Sequence, residues 1–111
     1  MGDRISIAFK NGNQTSVALF NHWGGREFLQ TVKQYYRELK QILSERKEGV
    51  SYPIDRLEPH TVMVDFIRWL TKDEPIIESN LYLGKDESDG DNSDNGHWVF
   101  DLLEGDFLYN E

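Results

Sequence analysis

Arg4-Ile5-Ser6-Ile7-Ala8-Phe9, then Asn11-Gly12-Asn13, then Thr15-Ser16-Val17-Ala18-Leu19-Phe20 is the stretch that sets the fold. The first block alternates with period two, the signature of a strand with one face in a core. The second is a turn, and the third is a partner strand. Register follows from which faces must match. A two-residue Asn-Gly turn sets Ile5, Ile7 and Phe9 opposite Ala18, Ser16 and Gln14, which wastes the apolar face. A three-residue loop at 11–13 pairs Ile5 with Leu19, Ile7 with Val17 and Phe9 with Thr15. The expected register is therefore the second.

Outward from this hairpin, residues 26–46 predict a long helix. Phe28, Leu29, Val32, Tyr35, Tyr36, Leu39, Ile42 and Leu43 recur at three- and four-residue steps. Gly49 is expected to close it, and Ser51-Tyr52-Pro53 to belong to a connection. Pro59 opens a second helix to about Thr71, burying Val62, Met63, Phe66, Ile67 and Leu70. Ile77–Leu83 and His97–Leu102 read as strands, with a short last strand at Phe107–Tyr109. The order β-β-α-α-β-β(-β) predicts an α+β fold. Its sheet is expected to be antiparallel, of four or five strands built as two hairpins, with both helices on one face. Residues 1–111 read as a single domain, and the loop at 85–96 is expected to be mobile, since nothing apolar lies between Leu83 and Trp98.

The chain has 111 residues and no cysteine, so disulfides, thiolate metal sites and cysteine nucleophiles are excluded. A cytoplasmic protein is the expectation. Net charge is -8, and it is unevenly placed. All twelve Lys and Arg lie in the first 85 residues, with eleven acids. The other nine acids are Asp86, Glu87, Asp89, Asp91, Asp94, Asp101, Glu104, Asp106 and Glu111. Such an end repels a phosphate backbone and attracts a basic protein surface or a cation. The expected partner is thus a basic protein, with neither nucleic acid nor membrane engaged directly. Oligomeric state is left open.

Two short strings stand out, Met1-Gly2-Asp3-Arg4 and His22-Trp23-Gly24-Gly25. With Ile5-Ser6-Ile7 after the first and Phe20 before the second, they resemble a group of small uncharacterised phage and prokaryotic proteins. The resemblance covers residues 1 to about 30; the group more often has Tyr-Thr-His where this chain has Phe20-Asn21-His22. It implies a similar element order and no activity, cofactor or partner. One concrete form of a phage-type function is inhibition of a host or defence protein by imitating the charge of DNA.

His22, Gly24, Gly25 and Arg26, with Arg4 across the hairpin, form a candidate ligand site. Paired glycines before a helix let its amides approach an anion, and His22 adds a titratable group. The alternative is a sharp strand-to-helix turn with Trp23 wedged into the core. A structural role is also expected for Asp3, whose carboxylate is predicted to point towards the core and cap the first helix near Gly24–Glu27. Asp89, Asp91, Ser93 and Asn95 are candidate calcium ligands, because clustered carboxylate and amide oxygens on a loop suit that cation. Against this, Leu102 occupies the place of a bidentate acid counted from Asp91, and a solvated acidic loop is the alternative. Trp69 falls off the apolar stripe of its helix and is a candidate interface anchor, with Asp101, Glu104 and Asp106; the alternative is a helix buried on more than one side, with Trp69 packed under a loop.

No nucleophile elbow, phosphate-binding loop or zinc-protease motif is present, and no catalytic residue is assigned. Three readings remain. The first is a non-enzymatic module engaging a basic partner. The second is a calcium-binding domain at 86–96. The third is a small hydrolase or ligand-binding domain centred on His22. The first is preferred, with no resident cofactor other than calcium in the second.

Overall fold

The first hairpin turns tightly and then bulges. In the computed structural model, which describes residues 2–45, 52–73 and 80–108, strand β1 (Ile5–Asn11) pairs with β2 (Gln14–Thr15) as Lys10↔Thr15 and Asn11↔Gln14. The turn is therefore the two residues Gly12-Asn13, and not the expected three. Further along, β1 pairs with β3 (Ala18–Asn21) as Ile5↔Asn21, Ser6↔Phe20 and Ile7↔Leu19. The one-residue change of register is absorbed at Ser16-Val17, a β-bulge. Ser16 makes it stable: its amide donates to the Phe9 carbonyl at 2.8 Å and its Oγ accepts the Phe9 amide at 3.0 Å. A hydroxyl thus stands in for the missing main-chain acceptor, and the bulge returns Ile5, Ile7 and Leu19 to one face.

Helix α1 (Glu27–Glu45) and helix α2 (Pro59–Thr71) pack on that face. Ile5, Ile7, Phe9 and Leu19 meet Phe28, Val32, Tyr35, Leu39, Val62, Met63 and Phe66 in the core. Phe66 holds the layers together, 5.6 Å from the Phe9 ring and 5.1 Å from the Tyr35 ring. Burial pushes the Tyr35 phenol up, helped by its hydrogen bond to Asp65 Oδ2 at 2.7 Å. The expected end of the first helix at residue 46, its closure at Gly49, Ser51, the strand residues 77–79, Tyr109 and Glu111 lie outside the described residues.

Among the described residues the sheet is six-stranded and mixed, which corrects the expected antiparallel pair of hairpins. Strand β4 (Leu81–Gly84) runs antiparallel to β3 at one edge, while β5 (His97–Asp101) runs parallel to β1 on its other side. Strand β6 (Asp106–Phe107) closes the far edge beside β5, giving the order β4-β3-β1-β5-β6. The cause lies in β1. Ile5, Ser6, Ile7, Ala8 and Phe9 are all buried, so β1 is covered on both faces and takes the sheet's centre. A strand at the centre needs a partner on each edge, and β5 supplies the second.

Residues 85–96 consequently do not form a hairpin loop. They cross the face opposite the helices, from the β4 edge to β5, and bury Ser6, Ala8, Ala18 and Phe20. Phe20 stacks on Tyr82 with ring centroids 4.9 Å apart, and the Asp91 amide donates to the Tyr82 hydroxyl at 2.9 Å. Gly90 lies on these two rings, and a Cβ there would come within 2.7–2.9 Å of both. The acidic segment is a second layer of the molecule.

Candidate functional site

Three segments meet at the start of β1. Arg4 Nε lies 3.1 Å from Asp91 Oδ2, and Nη1 lies 3.4 Å from Asp94 Oδ2, which also accepts the Arg4 amide at 2.9 Å. Asn95 Nδ2 donates to Asp3 Oδ1 at 2.6 Å and to the Arg4 carbonyl at 3.1 Å. Arg4 therefore anchors the crossing loop. The Asp91 carboxyl is held below the usual carboxylate range, first by the Ser93 amide and hydroxyl and then by Arg4 and His22. Asp3, Arg4, His22 and Gly25 form one cluster with the acidic segment.

The cluster corrects two expectations. The Asp3 carboxylate does not cap α1; it meets Asn95, and the residue is exposed. The Asp3 main-chain carbonyl takes the helical approach, accepting the Gly25 amide at 2.8 Å, while the Asp3 amide donates to the His22 carbonyl at 2.9 Å. The backbone performs the task expected of the side chain. Trp23 is not wedged into the core. It is 51% exposed, with its ring 4.6 Å from His22 in an edge-on contact.

The remaining candidates are placed as follows. Gly25 adopts φ +59°, in the left-handed region. Gly24 packs by Asn21 and Phe28, and the Arg26 guanidinium lies 5.4 Å from the Trp98 ring centroid. Asp89, Asp91 and Asn95 each engage a group within the protein. Asp89 Oδ2 accepts the Lys85 amide at 3.0 Å, Asp91 Oδ1 accepts the Ser93 amide at 3.0 Å, and Asn95 turns to Asp3. Among the described residues, no group of three or more His, Asp or Glu side chains has metal-holding geometry.

Trp69 is a helix-to-helix staple and not an exposed anchor. Its indole N–H donates to Glu38 Oε1 at 3.0 Å, and its ring packs 5.5 Å from Tyr35 and 6.1 Å from Phe66. Asp101 is buried, its Oδ1 accepting the Leu103 amide at 2.9 Å and the Glu104 amide at 3.3 Å to shape a turn. Asp106 is exposed but lies 3.4 Å from Lys33 Nζ, and Glu104 is exposed beside it. These acids stand at the β6 edge, apart from those of the crossing segment.

Ser6 and Asn92, which sequence reasoning misses, complete the site with His97. Asn92 Nδ2 donates to Ser6 Oγ at 2.9 Å, which directs the hydroxyl proton to His97 Nδ1, 2.7 Å away. Burial pushes the His97 imidazole down, while Glu87 and Asp86 pull it up less strongly. A neutral ring protonated on Nε2 satisfies this network. Ser6 is fully buried, so the pair holds the loop and offers no nucleophile to a substrate. The sequence signal was a hydroxyl inside Ile5-Ser6-Ile7, on the strand face opposite the core.

Beside this network is a recess of about 340 Å³ lined by Ala8, Thr15, Ser16, Ala18, Lys85, Asp86, Glu87, His97 and Val99. A second, of about 380 Å³, opens between Arg26, Trp98, Asn95 and Glu87. Compared with protein-family models, curated proteins and solved structures, the chain matches none. Among the described residues, no helix is long and apolar enough to cross a membrane.

Proposed function

We propose that this protein is a non-enzymatic binding module that engages a basic surface of another protein through the crossing segment 85–96. The observation that carries this reading is the arrangement of Asp86, Glu87, Asp89, Asp91 and Asp94. All five are exposed on one side of the sheet, while the segment bearing them is tied down through Arg4, Ser6, Asn92 and Asn95. A tethered array of carboxylates loses little freedom when a complementary surface docks, which favours affinity. Its field also steers a cationic partner during encounter. The DNA-contacting face of a host or defence protein has the required charge, in keeping with the resemblance of the opening segment.

The test is an NMR titration of the labelled protein with an oligolysine peptide, at low and at high salt, beside an oligoglutamate control. Oligolysine should move the amides of 85–94 at low salt, and added salt should weaken the effect. An oligolysine peptide that leaves these amides unmoved at low salt overturns the reading.

A further inference from the structure

We propose that His97 is a proton-operated latch: its neutral imidazole holds the crossing segment against β1, and its imidazolium loosens that segment while the rest of the fold stays closed. The latch works whatever the segment binds, so it stands or falls apart from the function proposed above.

The contacts admit one protonation state. Asn92 Nδ2 donates to Ser6 Oγ at 2.9 Å and to the Glu87 carbonyl at 3.2 Å. A carbonyl can only accept, so the Asn92 amide is fixed with its nitrogen, and not its oxygen, towards Ser6. The Ser6 hydroxyl proton is thereby directed to His97 Nδ1, 2.7 Å away, which must be unprotonated to receive it. A proton added at Nδ1 sets donor against donor. Ser6 is fully buried, so its hydroxyl cannot turn to bulk water instead. Lifting of the segment from β1 lets water in and relieves the conflict.

Charge around the ring does not restore the fit. His97 lines both recesses, whose charged groups are Lys85, Asp86 and Glu87 of the crossing segment and Arg26 just before α1. The strand residues beside it, Ser6, Ala8 and Ala18, are neutral, and Arg4 is paired with Asp91 and Asp94. The two acids favour the imidazolium, Lys85 and Arg26 bring the opposite sign, and burial outweighs the acids. The closed latch thus refuses a proton that a hydrated ring accepts near its ordinary 6.5. Below that value each pH unit multiplies the open population by about ten, until the closed form titrates as well. The opening is local, because the Asp91 carboxylate is held below the usual range and keeps its pair with Arg4.

The test is native-state hydrogen exchange of the whole chain, corrected for the intrinsic pH dependence of amides, with and without sub-denaturing urea. The reporters are the Ser6 amide, bonded to the Gly96 carbonyl, and the Gly96 amide, bonded to the Asn92 carbonyl. Their protection should fall about tenfold between about pH 7.5 and about pH 5. At the lower pH their exchange should respond little to urea, whereas Phe66 inside α2 should accelerate steeply, as global unfolding requires. His97→Asn, which keeps an acceptor and does not titrate, should abolish the pH step at both reporters. In the unaltered chain their amide shifts should change with the same midpoint as the His97 ring. Reporters that share the urea slope of Phe66, or that ignore pH, overturn the latch. So does a midpoint different from that of His97, which would assign the loosening to a carboxylate.

Discussion

Gly25 sits against Asp3: its amide donates to the Asp3 carbonyl at 2.8 Å, and a Cβ on Gly25 would overlap the Asp3 carboxylate. Two constraints coincide at this glycine. Its φ of +59° is costly for any residue with a Cβ, and the space a Cβ needs is filled. Together they explain why the opening of the chain and the start of α1 form one unit.

Gly25→Ala should therefore destabilise the protein by about 2–4 kcal/mol, the sum of left-handed backbone strain and displacement of Asp3. Asp3→Ala alone should cost about 0.5–1.5 kcal/mol, since only the exposed bond to Asn95 is lost and the carbonyl contact survives. The double variant should be less damaged than the two costs added, because removing the carboxylate clears room for the new methyl group. Urea denaturation of all four proteins measures this. Strict additivity would show that the overlap is not a significant strain.

Ser16→Ala should cost about 1–3 kcal/mol, because it leaves the buried Phe9 amide without its acceptor. The effect should be local as well as global. Hydrogen exchange at the Phe9 amide should speed up more than at Ile7, whose neighbours keep their ladder bonds. An unchanged Phe9 rate would mean that the bulge does not depend on the hydroxyl.

How much of this was legible in the sequence depends on where the information is stored. The period of Ile5-Ser6-Ile7-Ala8-Phe9 and the three- and four-residue steps of Phe28–Leu43 are local, so both elements and the shared helix face were readable. The α2 bounds were readable too, since Pro59 marks its start chemically. Register escaped because the extra residue could sit in the turn or beyond it, and Ser16 decides that only through a tertiary bond. Strand order escaped because two hairpins and a crossover use the same element list. The clue was that Ser6 and Ala8 interrupt no burial, leaving β1 apolar or small on both faces. Loop 85–96 read as unanchored because its anchors are polar, namely Asn92 on Ser6 and Arg4 on Asp91. Exposed anchor and packed ring could not be separated for Trp69, because its partner, Glu38, belongs to the other helix.

Arg4→Ala should loosen the crossing segment while strengthening its attraction for cations. The pairs with Asp91 and Asp94 are partly exposed, so the stability loss should be only about 0.5–1 kcal/mol. Exchange of the 91–95 amides should accelerate, since the Asn95 amide bonds to the Arg4 carbonyl and depends on that segment staying in place. Net charge becomes one unit more negative than -8, and two carboxylates lose their internal cation. Oligolysine affinity at low salt should rise. A fall would mean that loop order matters more than free charge.

Acid should weaken the protein in two separate windows. Burial holds the His97 imidazole below its ordinary 6.5, so the folded chain takes up that proton less readily than the unfolded chain. The stabilisation is complete above 6.5 and is lost as pH falls through the lower, folded value. Protonation also turns Nδ1 from acceptor to donor, facing a Ser6 oxygen that already accepts from Asn92. Glu87 and Asp86 oppose this change but do not outweigh burial. The second window lies lower. Asp86, held down by Ser88, and Asp91, held down chiefly by Ser93, keep their stabilising charge until pH falls below 3.8. Urea midpoints followed from neutral pH downward should therefore descend first below 6.5 and again below 3.8. His97→Asn should flatten the first descent and leave the second. Relief of repulsion among the carboxylates acts the other way, and a midpoint that rises between 6.5 and 3.8 would show it to be the larger effect.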